Sequence, residues 1–225
     1  MTSMFRDLDI YGKLLLFISN TSTANKVESA DKAGNIIFIL IKYISSIHEM
    51  LLFMEKDVIG KEEIVGILNE QIELKNNADQ IIKEYKAKHK KIYSFIRNKY
   101  GFHYGQKQGL EPSICEAVKD CDELEIYLSN TLSGNDVFAS TSKIVIATIY
   151  DEMKKNRFPD KSSQELLKIL VDSASDVGEK LKDFYRKYLF AVVLKSVKFC
   201  ETGETIEVSA KKFSECQLSF FVVPG

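Results

Sequence analysis

The sequence contains no tryptophan, three prolines, three histidines and four cysteines in 225 residues. So little proline argues against a proline-rich linker or a long disordered tract. The cysteines, Cys115, Cys121, Cys200 and Cys216, form no Cys-x-x-Cys pair. With so few histidines to complete a ligand set they define no zinc site, and they read as reduced thiols of a cytoplasmic protein. An excess of one charge sign is also missing, since 31 Lys and Arg stand against 32 Asp and Glu. Overall charge therefore leaves no nucleic-acid footprint, and any such claim must rest on local clustering. No His-Glu-x-x-His, Walker, Rossmann or Gly-x-Ser-x-Gly pattern occurs, so metalloprotease, nucleotide-hydrolase and ordinary esterase readings lack support. Paired carboxylates such as Glu62-Glu63 and Asp151-Glu152 read as helix-surface charge. No metal and no cofactor is expected.

An uninterrupted apolar run of membrane length is missing too. The most apolar stretch, IIFILIKYISSIHEMLLFM (36–54), carries Lys42, His48 and Glu49 inside it. A spanning helix needs about 20 apolar residues with few charges. A long buried core helix is the better reading, with His48 as a satisfied core or interface histidine and no membrane association. The N-terminal MTSMFRDLDIYGKLLLFIS has mixed charge and no small-residue cleavage site, so it reads as an amphipathic helix over about 5–19.

Helical periodicity is what the chain has in quantity. Apolar positions are dense on several faces from about Asp31 to Lys56, and KEEIVGILNEQIELK (61–75) spaces Ile64, Ile67, Leu68 and Ile72 as a helix does. A helix is expected from Asn77, as its cap, to Gly101, which suits the left-handed position after a helix end. Another should begin near Glu111 with Pro112 in its first turn. LEIYLSN and DVFAST, around TLSGN, alternate as a short β-hairpin would. Ser140, Thr141 or Ser142 caps the next helix, which closes at Arg157-Phe158-Pro159. The last helix runs from about Ser162 to Lys198, with Gly178 marking a kink or a close contact. The tail from about 200 to 225 reads as a β-ribbon. The expectation is one mainly α domain over 1–225, a helical bundle with its core at about 30–200, a small β-hairpin and a C-terminal β-ribbon.

The most basic segment leads to the most informative one. Lys83, Lys86, Lys88, Lys90, Lys91, Arg97 and Lys99 lie on a helix face where Glu84 is the one acid after Asp79, and His89 is expected to be exposed among them. SFIRNKYGFHY (94–104) then sets Arg97 six positions before His103. On one continuous helix that separation turns the side chains roughly 240° apart. A helix end at Gly101 would instead let both face one groove.

RNKYGFH, an arginine followed by a polar residue, four more positions and histidine at a helix end, resembles the signature motif of the HEPN superfamily. The resemblance implies a dimerising α-helical bundle whose two motifs face each other across the interface. Many such proteins are metal-independent endoribonucleases, in toxin–antitoxin or phage-defence settings. His103 would be the general base or acid and Arg97 would stabilise charge on the phosphorane-like transition state. Asn98 would bond a phosphate or orient His103, and products would end in a 2′,3′-cyclic phosphate. Lys88, Lys90, Lys91 and Lys99 would contact RNA phosphates, and Tyr104 would stack on a base. The implied partners are a second copy, RNA, and an antitoxin or other protein. Two alternatives stand beside this: a non-catalytic HEPN-like module binding RNA, nucleotide or protein, and a helical interaction protein in which the motif is coincidental.

Overall fold

The computed structural model describes residues 2–59, 68, 71–101 and 139–196. Within them the chain is a helical bundle, and no strand occurs among the described residues. Its elements are α1 (Thr2–Ser19), α2 (Lys26–Phe53), a first π turn (Met54–Val58), α3 (Ile72–Lys88), α4 (Lys90–Ile96), a second π turn (Arg97–Gly101), α5 (Ala139–Asn156) and α6 (Ser163–Ser196).

α2 is the axis of the bundle. Its start is fixed locally: the Asn25 side chain accepts from the Glu28 amide at 2.9 Å, and the Glu28 carboxylate reaches back to the Ala24 amide at 2.7 Å. Beyond the cap, nearly every residue from Ile39 to Leu51 is buried, so the helix is covered on all faces. α1, α4, α5 and α6 pack on it, while α3 lies against α4 and α6. Leu8, Ile44, Tyr85, Ile96, Ile149 and Phe184 place side chains from all six helices in one apolar cluster. Lys26–Val58 is long and apolar enough to cross a membrane by length and composition, and 61% of its most apolar window is buried inside the bundle.

α6 begins with a reciprocal cap. The Ser162 amide donates to the Glu165 carboxylate at 2.9 Å, and the Glu165 amide donates to the Ser162 hydroxyl at 3.3 Å. Gly178 is a close-contact glycine: a Cβ there would sit 2.8 Å from a Tyr43 ring carbon and closer still to the hydroxyl. The α6 backbone thus lies directly on Tyr43 of α2, at a helix-propensity cost of about 1 kcal/mol.

Several boundaries differ from the sequence reading. Asn77 lies inside α3, which starts at Ile72, so it caps nothing. The single helix expected over 77–101 is divided at His89, where φ −124° leaves the helical region and the ring packs on Tyr93 at 5.4 Å. Burial on Tyr93 makes His89 half-buried rather than exposed. Ala139, Ser140, Thr141 and Ser142, assigned to the hairpin or to a cap, are helical residues of α5. The rest of the hairpin, the helix near Glu111 and the ribbon at about 200–225 lie outside the described residues.

Candidate functional site

The segment carrying Arg97, Asn98 and Lys99 is a π turn that continues α4 without a break. Gly101 is therefore a helical residue, and its backbone is not in the left-handed region that a helix-terminating glycine adopts. It serves as a close approach: a Cβ at Gly101 would fall 2.9 Å from Ser45 Cβ and closer still to the Ser45 hydroxyl oxygen. Ser45 is itself fully buried and donates back to the Ile41 carbonyl at 2.7 Å. One extra residue per turn is the mark of π geometry, and such turns recur at functional sites.

One face of α2 receives this turn. Lys42, Ser45 and Glu49 recur about once per helical turn. The Lys42 ammonium donates to the Gly101 carbonyl, Ser45 lies under Gly101, and the Glu49 carboxylate takes the Arg97 guanidinium. Glu49 Oε1 stands 2.5 Å from Arg97 Nε, with side chains 27% and 29% exposed. Arg97 Nη1 donates to Asn98 Oδ1 at 3.0 Å, and Asn98 Nδ2 donates to Ser94 Oγ at 3.2 Å. A guanidinium has five N–H donors, so two are spent on fixing its plane and three remain for a ligand. A planar fork held in this way suits a phosphate better than a free arginine does, because less side-chain freedom is lost on binding.

Next to Glu49 and about 100° round the helix, His48 is buried in the core. It is 5% exposed and its Nδ1 bonds the Tyr85 hydroxyl. Burial holds its pKa below the ordinary imidazole value; Glu49 opposes this, while Arg97 and Lys90 reinforce it. Burial likewise raises the Tyr85 phenol. Tyr100 is buried against Thr148, to whose hydroxyl it bonds, and Tyr93 is fully buried with its hydroxyl 3.1 Å from Ser173 Oγ. Both rings belong to the core and neither is a platform for a base.

The lysine face divides in two. Lys86 pairs with Glu55 at 2.5 Å and Lys88 with Glu84 at 2.8 Å. Glu84 also takes Lys180 at 2.9 Å, and hydrogen bonds from Lys88 and Lys180 lower its pKa to about 2. Lys90 and Lys91 are exposed, Lys99 is half-buried, and none of the three has a carboxylate partner among the described residues. His103 and Tyr104 lie outside the described residues. Among the described residues no group of three or more His, Cys, Asp and Glu is placed to hold a metal ion.

Sequence reasoning missed Glu49 as a member of the site. Its signal was its position, since a carboxylate inside an apolar helix needs a partner. Comparison with protein-family models, curated proteins and solved structures finds no match to this chain.

Proposed function

We propose that the chain is a HEPN-like, metal-independent endoribonuclease acting as a cytoplasmic homodimer, in a toxin–antitoxin or phage-defence role with a further protein partner. The observation that carries the reading is the held guanidinium of Arg97, fixed by Glu49 and Asn98, with the exposed Lys90 seven residues back on the same helix face. In this reading His103 removes the 2′-hydroxyl proton, the 2′-oxygen attacks phosphorus, and the bond to the 5′-oxygen breaks. The second subunit's motif supplies the proton for the 5′-oxygen. Arg97 meets the charge that builds on the phosphoryl oxygens, where a fixed donor fork is worth most. Lys90, Lys91 and Lys99 contact neighbouring phosphates.

The pairing with Glu49 also favours a second reading, a non-catalytic module, because a carboxylate already offsets the charge of Arg97. Incubation with RNA in excess chelator, followed by end-group analysis, separates the two. Cleavage leaving 2′,3′-cyclic phosphate and 5′-hydroxyl ends supports the nuclease. RNA binding without new ends selects the module.

A further inference from the structure

At the α3–α4 break a cavity of about 170 Å³ opens between His89, Lys90 and Lys91 on one side and Asn156, Arg157 and Phe158 at the end of α5 on the other. We propose that this cavity binds a phosphate group of an RNA strand, with Lys90, Lys91 and Arg157 as its cations and the His89 imidazole as a hydrogen-bonding wall. The identity of the strand rests on the nuclease reading above; the preference for phosphate rests on the cavity.

Its size comes first. Pockets for whole small molecules run to about 300–1,000 Å³, while a water in the liquid takes about 30 Å³. The cavity of about 170 Å³ has room for a phosphate group with a few waters and not for a whole nucleotide.

Its charge comes second. Lys86 and Lys88 at the same site are taken by Glu55 and Glu84, but Lys90, Lys91 and Arg157 have no carboxylate partner among the described residues. The Arg157 guanidinium is tied by Nη1 to the Lys88 carbonyl at 3.2 Å and lies over the Phe158 ring at 5.5 Å, which leaves further N–H donors for a ligand. His89 packs on Tyr93, and no hydrogen bond to its ring nitrogens occurs among the described residues. Burial lowers its pKa, with Lys88 and Arg157 adding to this and Glu84 and Asp176 opposing it. A neutral ring has one N–H to give to a phosphate oxygen.

Its placement comes third. Lys90 and Arg97 are seven residues apart, which on an α-helix is about 10 Å along the axis and within about 20° of the same face. A backbone meeting Arg97 continues along that face to the cavity, so the two sites take different phosphates of one strand.

Two titrations of the full chain test this. With inorganic phosphate as probe, the His89 ring resonances should shift saturably in the native protein, and the shift should be abolished in Arg157→Gln and retained in Arg157→Lys. No saturable shift in the native protein overturns the inference. The second probe is a 2′-O-methyl oligoribonucleotide, which lacks the attacking hydroxyl. Its affinity should fall at least about threefold in Arg157→Gln, and the slope of log Kd against log salt should drop by about 0.7, the increment for one phosphate of a single strand. Equal affinity and slope in both proteins overturns the inference and leaves cleavage at Arg97 untouched. Failure of the native protein to bind the oligoribonucleotide overturns both readings.

Discussion

Glu49 holds Arg97 at 2.5 Å, and the contact ties the C-terminal part of the axis helix α2 to the π turn that carries the motif. Partly exposed pairs of this kind contribute modestly, on the order of 1 kcal/mol. A double-mutant cycle with Glu49→Gln and Arg97→Gln should therefore give a coupling of about 1 kcal/mol in urea unfolding. Additive effects would mean that the pair does not restrain the turn.

The glycines should respond according to what each one touches. Gly101→Ala and Gly178→Ala would place a Cβ 2.9 Å from Ser45 Cβ and 2.8 Å from a Tyr43 ring carbon, with the hydroxyl oxygen nearer still in each case. Each should destabilise by about 1–3 kcal/mol as an overpacked core does. Ser45→Gly should rescue the first in large part, while Tyr43→Phe should rescue the second only partly, since the ring carbon at 2.8 Å remains. Gly12→Ala meets the end of the Lys182 side chain at 3.1 Å, which can move aside. It should be neutral or stabilise by up to about 1 kcal/mol through helix propensity. Thermal melts of the three single variants settle the ranking.

The His48–Tyr85 bond joins α2 to α3 in the core. Tyr85→Phe removes the partner and leaves a buried imidazole nitrogen unsatisfied, at a cost of about 1–3 kcal/mol. The variant should unfold at lower urea with an unchanged m-value. A midpoint equal to that of the native protein would mean that His48 finds water or another partner there.

Stability should fall with acid in two windows. Burial holds His48 and His89 below the ordinary imidazole value of 6.5. As pH falls through about 6.5, the unfolded chain takes up protons that the native state refuses, so stability declines from there down to the lowered folded values. Glu84 moves from 4.5 to about 2 through its lysines, so its contribution is complete above pH 4.5 and disappears on the way down to about 2. Urea midpoints measured from pH 8 to 3 should trace both declines; Glu84→Gln should shallow the lower one and, by removing a charge that opposes the lowering of His89, deepen the upper one. A flat profile between pH 7 and 5 would contradict the buried, neutral histidines.

How far the sequence carried depended on the kind of interaction. Apolar periodicity sufficed to place α2 as a core helix despite Lys42, His48 and Glu49, because a stripe of that length can only be buried or spanning. It also marked α6 from about Ser162, while the reciprocal cap with Glu165 went unread. The same three polar residues announced that partners were needed, yet the choice of Gly101, Tyr85 and Arg97 depends on contacts 37 to 59 positions away in the chain. Gly101 read as a stop because glycine serves both left-handed ends and close approaches, and only packing against Ser45 separates the two. His89 read as exposed because its neighbours are lysines. The one local trace of its burial is the i,i+4 spacing to Tyr93, on which the ring packs.

The most direct test of the proposed function is single-turnover cleavage of RNA in excess chelator by the native chain and by His103→Ala. The two should show matched folding by circular dichroism and the same oligomeric state. The nuclease reading predicts cleavage by the native protein and a rate lower by about 10²–10⁴-fold in the variant, the range expected for loss of a general acid or base. Equal cleavage by both, or none by the folded native protein, would contradict it.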